Sequence, residues 1–170
     1  MYKRQTINDH KIILDPVMVA TSGDILVNEE IIDSIKNNLI KKSFLITPNI
    51  YEAEILSGIK IKNLEDQIAA GKKLKNNGCA NVLIKGGHGN LEDIHDVLIT
   101  SEAKQHIFKS KKIKTENTHG TGCTLASAIA VNIGHKNDIT ESIDVSIKYV
   151  QNGINKAPGF GSGNGPIRHF

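Results

Sequence analysis

Tryptophan is absent from this sequence, and aromatic residues of any kind make up only 4% of it. The stacking platforms that readers of single-stranded nucleic acid need are therefore missing. Charge of one sign is not massed either: 21 Lys and Arg are interspersed with 18 Asp and Glu, for a net charge of +3. A nucleic-acid partner is not expected. No apolar run approaches the roughly 20 residues that cross a bilayer, and the opening MYKRQTINDHK lacks the apolar stretch of a secretory leader. The expectation is a cytoplasmic protein with no membrane partner. Cysteine is scarce, and in that compartment Cys79 and Cys123 read as thiols rather than a disulfide. Seven histidines form no HExxH and the cysteines no CxxC, so zinc has no basis in the sequence. There is no GxxxxGK[ST], and Gly120-x-Gly122-x-x-Leu125 lacks the third glycine of a dinucleotide fingerprint.

What is present suits one domain: 170 residues with 39% apolar content can bury a real core. Lys11–Asp15 (KIILD), Ser43–Thr47 (SFLIT) and Ala80–Lys85 (ANVLIK) are short apolar runs of the buried-strand type. Between them, Asn28–Lys41 repeats apolar residues at helical spacing behind a capping Asn28, Asn49 opens a short helix that stops near Gly58, and Asn63–Asn77 forms another ending at Gly78. Ile94–Thr100 and Ala103–Phe108 read as a strand pair with a tight turn. Thr121–Ile133 is nearly uniformly apolar and is expected to be a buried helix. Asp138 and Glu141 have capping-box spacing and start a last helix to about Ala157. Strands alternating with helices imply an α/β fold with a largely parallel sheet covered on both faces. The glycine-rich tail GFGSGNGPIRHF has the composition of a flexible or lid-like terminus.

The strongest chemical signal is Asn117-Thr-His-Gly-Thr-Gly-Cys123, between a strand and a helix. Gly120 and Gly122 allow a tight turn that brings backbone N–H groups close to a phosphate, and the helix behind adds the positive end of its dipole. Cys123 falls in the first turn of that helix, where the same field favours a thiolate, so it is a candidate base for an attacking hydroxyl. The plainer reading is a glycine turn, a Thr cap and a small buried Cys. A hydrolase dyad of His119 and Cys123 lacks an identifiable orienting partner.

Thr47-Pro48-Asn49-Ile-Tyr-Glu52 stands at a strand's C-terminal end, where open α/β sheets bind ligands. Its plainer reading is a capping box between Asn49 and Glu52. Lys85 ends an apolar strand ahead of Gly86-Gly87 and projects an ammonium toward the sheet edge where Asp15 and Asn49 emerge. A lysine ending a strand is often merely solvated, but three polar strand ends share this edge.

LDPVMVATSGD (Leu14–Asp24), TPNIYEAE (Thr47–Glu54), VLIKGGH (Val82–His88), HDVL (His95–Leu98), NTHGTGCTLASAIA (Asn117–Ala130) and GSGNGPIRH (Gly161–His169) together resemble the hydroxymethylpyrimidine/phosphomethylpyrimidine kinases of thiamine biosynthesis. VMVATSGD and GTGC are the specific parts, because most ribokinase-like sugar kinases carry Asp where Cys123 stands. The resemblance implies a ribokinase-like three-layer sandwich and ATP-dependent phosphorylation of 4-amino-5-hydroxymethyl-2-methylpyrimidine, then of its monophosphate. Gly120, Thr121, Gly122 and Cys123 then form the anion hole, with Cys123 the base. Asn49 and Glu52 match an element that organises magnesium and phosphate, Lys85 a phosphate-contacting lysine, and Asp15 an acidic group near metal and phosphates, with His119 close to the nucleotide. ATP and Mg2+ are the implied cofactors.

The family's chain begins well upstream, and the strands that hold most of its pyrimidine contacts precede the position of Lys11. Residues 1–170 are thus expected to be a single domain truncated on its N-terminal side. KIILD is then an exposed apolar edge that invites pairing, in a homo-oligomer or with a partner supplying the missing strands. Pyridoxal kinase of the same superfamily and a non-catalytic or complementing half of a split kinase are the competing readings.

Overall fold

The computed structural model describes residues 10–19, 25–87, 93–160 and 163–169. Ala20, Thr21, Ser22, Gly23, Asp24, His88, Gly161 and Ser162, which belong to the segments quoted above, lie outside them. Five strands form one sheet in the order β1 (Ile13–Leu14), β2 (Leu45–Ile46), β3 (Asn81–Ile84), β4 (Asp93–Ile99) and β5 (Gln105–Lys111). β1, β2 and β3 run parallel, with Ile13 opposite Leu45 and Ile46 opposite Val82. β4 and β5 run antiparallel, with Val82 opposite Ile99 and Val97 opposite Ile107. The sheet is therefore mixed rather than largely parallel. The tight turn after Ile99, closed by the Thr100 N–H donating to the Lys104 carbonyl, is too short for the crossover that a parallel neighbour needs.

The period of two in a strand distributes the apolar side chains to two cores. Ile46, Val82 and Ile84 face one layer, made by α2 (Ile50–Ser57) and α3 (Leu64–Asn76), where they meet Ala53, Leu56, Ala70 and Leu74. Leu45, Leu83 and Leu98 face the other, made by α4 (Thr121–Gly134) and α5 (Ile139–Asn155), where they meet Leu125, Ile129, Ile143 and Ile147. Asn28 caps α1 (Glu29–Ser34), which loosens into a π turn at Ile35–Leu39 and a tight turn at Ile40–Lys42 instead of running as one regular helix to Lys41. Asn63 and Asp138 cap α3 and α5 through their side chains.

Two expectations change. Helix α4 is not buried: only Leu125, Ile129 and Ile133 are, while Cys123, Ser127, Ala130 and Val131 are exposed. It packs chiefly on α5 and on the sheet through one stripe at a spacing of four residues, and the small apolar residues on its other face meet solvent. The tail is not loose over its described part. Ile167 is buried, and the Arg168 N–H donates to the Gly153 carbonyl of α5. No helix of the described residues is long and apolar enough to cross a membrane.

Candidate active site at the strand ends

Three parallel strands end together, and each delivers one polar side chain. Asp15 follows β1, Asn49 follows β2, and Lys85 follows β3, held there by its N–H bond to the Pro48 carbonyl and a single bridge to Asn49. The Lys85 ammonium lies 2.8 Å from Asp15 Oδ1, with each side chain 15% exposed. Thr47 Oγ1 donates to the same oxygen at 3.0 Å. A pair this sheltered feels weaker screening than a surface pair, yet the cation keeps an open side.

The first turn of α4 lies against this pair. A Cβ on Gly122 would sit 3.3 Å from Lys85 Nζ and 3.6 Å from Asp15 Oδ2, which fixes how close the helix end comes. Gly120, at φ 82°, makes the left-handed turn ahead of the helix, a conformation glycine adopts without strain. Cys123 is exposed, and with Asp15, Ile13, Val17, Ala126 and Ala130 it lines a cleft of about 330 Å³. A carboxylate and a thiol thus border this open space, with the Lys85 ammonium bonded to that carboxylate and the first turn of α4 beside the pair, an arrangement that suits a polyanion and an alcohol.

Asn49 and Glu52 do form the capping box. Asn49 Oδ1 accepts from the Glu52 N–H, and Glu52 Oε2 accepts from the Asn49 N–H, both at 2.9 Å. Glu52 does more than cap: its Oε1 accepts from the Met18 N–H at 3.1 Å, which ties the segment after β1 to the start of α2. Burial raises the Glu52 pKa, opposed by the Asn49 and Met18 N–H groups and by the Lys85 charge. Both carboxylate oxygens are thus engaged, and among the described residues no three His, Cys, Asp or Glu side chains converge as a metal cluster. His119 stands at the turn before α4 with its side chain exposed, and its N–H donates to the Gly165 carbonyl. Among the described residues no hydrogen bond joins its ring to the Asp15–Lys85 pair.

Three groups escaped the sequence reading. Thr47 supports Asp15, as above. Asp96, on β4, is 7% exposed and accepts the Gly86 N–H at 2.7 Å, fixing the chain as it leaves Lys85. A carboxylate within the apolar run Asp96–Ile99 was the available signal. Gln67 of α3 donates from one amide nitrogen to the carbonyls of Ile84 and His95, each at 3.0 Å. It spans the two strands where Gly86 brings the chain so near β4 that a Cβ would collide with the His95 carbonyl. Nothing in the sequence marks a helix glutamine for that task.

The family model described as phosphomethylpyrimidine kinase matches residues 2–168. The hydroxymethylpyrimidine/phosphomethylpyrimidine kinase of Bacillus subtilis is 38% identical over 163 residues, covering 95% of this chain and 59% of that protein. This chain thus spans somewhat over half the length of that relative. Among solved structures, an ADP complex of Bacillus subtilis pyridoxal kinase superposes with a TM-score of 0.84 at 30% identity, covering 94% of this chain and 60% of the other. The phosphomethylpyrimidine kinase of Clostridium difficile superposes at 0.71 with 35% identity, covering 83% and 56%. The three-layer arrangement is accordingly ribokinase-like, and the chain belongs to the phosphomethylpyrimidine kinase family.

Proposed function

We propose that this chain is the nucleotide-binding and phosphoryl-transfer part of a cytoplasmic, ATP-dependent kinase that phosphorylates 4-amino-5-hydroxymethyl-2-methylpyrimidine and then its monophosphate. The observation that carries this reading is the Asp15–Lys85 pair packed under the first turn of α4, with Cys123 on the same cleft. Phosphoryl transfer asks a protein mainly to position groups and offset charge. The N–H groups of Gly120, Thr121, Gly122 and Cys123 hold the terminal phosphate, Lys85 neutralises it, and the Cys123 thiolate takes the proton of the attacking hydroxyl. Asn49 and His119 stand beside the nucleotide.

Magnesium fits this donor set if it rides mostly on phosphate and water, the ion's usual habit in kinases. Asp15 is the carboxylate that would hold it. Glu52, with both oxygens on backbone N–H groups, orients the surrounding chain. The ion would supply charge neutralisation for the phosphates.

The higher superposition score with a pyridoxal kinase favours a second reading, a kinase of pyridoxal-type alcohols. A further one follows from the place of β1 at the end of the described strands and from the exposed face of α4. These surfaces fit the part of the longer relatives that this chain does not match, brought by a partner chain or by further polypeptide, which would complete the alcohol pocket. A kinase assay with the hydroxymethylpyrimidine and pyridoxal side by side, with and without that part, separates the readings. Rapid turnover of the pyrimidine only when that part is present is the expected result, and a preference for pyridoxal overturns the choice of substrate.

A further inference from the structure

The tail after α5 returns to the turn that precedes α4. The Gly165 carbonyl accepts the His119 N–H at 3.1 Å, and His119 and Pro166 form a single parallel bridge. Gly165 is buried so tightly against the turn that a Cβ there would collide with Asn117 Oδ1. The other end is anchored on α5. Ile167 is 4% exposed, the Arg168 N–H donates to the Gly153 carbonyl at 3.0 Å, and the Tyr149 hydroxyl donates to the His169 carbonyl at 3.2 Å. Gly153 is fitted to this contact, since a Cβ on it would come within 2.7 Å of the Arg168 carbonyl oxygen. The segment therefore spans from the C-terminal half of α5 to the turn holding Asn117, Thr118, His119 and Gly120.

Among the described residues the turn's other hydrogen bonds are short-range. The Thr118 N–H bonds the Glu116 carbonyl two residues back, and the Asn117 N–H bonds Thr115 Oγ1. All of these partners are local. The direction in which the first amides of α4 point follows from the turn's backbone, and phosphate affinity depends on that aim to within fractions of an ångström.

We infer that the C-terminal strap Gly165–His169 is a positioning element of the phosphate site, holding the Asn117–Gly120 turn so that the leading amides of α4 converge on the terminal phosphate. This rests on the reading of that turn as the phosphate cradle. The strap touches no substrate itself; it acts through the backbone of His119, which it bonds directly. A loss of strap packing is thus felt by a nucleotide in proportion to the phosphates it places at the cradle.

Calorimetric titration of the whole chain with Mg-ATP and with AMP tests this on wild type, Gly165→Ala, the double variant Gly165→Ala/Asn117→Ala, and Ile167→Ala. Gly165→Ala, whose methyl meets the end of the Asn117 side chain and must turn it aside, is expected to weaken Mg-ATP severalfold while changing AMP less than about twofold. Removing the colliding carboxamide in the double variant restores most of the loss. Ile167→Ala, which frees the anchored end without a collision, gives the same ATP-selective loss and serves if Gly165→Ala does not fold. Unchanged Mg-ATP affinity in Gly165→Ala and Ile167→Ala, or an equal loss for ATP and AMP, overturns the strap while leaving the cradle. A wild-type chain that binds neither nucleotide overturns the cradle itself, and the strap's role with it.

Discussion

Replacing Asp96 by Asn is expected to stabilise the protein at neutral pH and not in acid. Burial raises the Asp96 pKa from an ordinary 3.8 to about 6, against the opposing pull of the Gly86 N–H and the Lys85 and His95 charges. A carboxyl whose pKa is higher in the folded state prefers to fold protonated. Its contribution is fully present below about pH 3.8 and is lost as pH rises through about 6. A rise of about two pKa units corresponds to about 3 kcal/mol, the cost of carrying the charge in the fold at pH 8. Asn keeps an oxygen to accept the Gly86 N–H and carries no charge to bury. The stability difference between Asp96→Asn and wild type should grow by about 2 kcal/mol or somewhat more between pH 4 and pH 8. With a urea m-value of about 1–3 kcal/mol per molar, the variant's midpoint moves up relative to wild type by about 1 M or more over that range. Urea melts of both proteins at pH 4, 6 and 8 measure this. A difference that stays constant with pH, or a variant that weakens toward pH 8, refutes the burial argument.

Other residues give independent tests. Gly86→Ala should cost about 2 kcal/mol or more, because the new methyl meets the His95 backbone carbonyl rather than a side chain that can turn away; a thermal melt unchanged from wild type contradicts this. Ser142 is fully buried, with its hydroxyl unpartnered among the described residues, so Ser142→Ala should be neutral or stabilising by up to about 1 kcal/mol in urea melts. A clear loss would reveal a hydrogen bond at that hydroxyl. In an active assembly, Cys123→Ala should lower kcat about 10²–10⁴-fold, the usual worth of a positioned base; an unchanged rate assigns Cys123 to structure.

The parts that were legible in the sequence are local. Asn49 and Glu52, three residues apart, announced the capping box, and Gly120 and Gly122 announced the turn into α4. Asp15 and Lys85 were placed at one edge because both end apolar strands, although 70 residues of chain separate them. What stayed hidden depends on long-range packing. The reach of Glu52 to Met18 and the span of Gln67 between β3 and β4 follow from how layers meet. Helix α4 reads as buried because its exposed face is also made of small apolar residues, and composition alone does not show which neighbours are present. The tail's glycines read as loose, yet Gly165 is buried against the Asn117 side chain, a contact that lies in how the tail folds back.

The most direct test is a crystal structure of the chain with magnesium and AMP-PCP, a nucleotide that cannot transfer its terminal phosphate. The expected density places that phosphate within hydrogen-bond distance of the Gly120–Cys123 amides, with the Lys85 ammonium turned onto it and the Cys123 sulfur facing the open cleft. A nucleotide bound elsewhere, with Lys85 still closed on Asp15 and no phosphate at the head of α4, contradicts the proposed site.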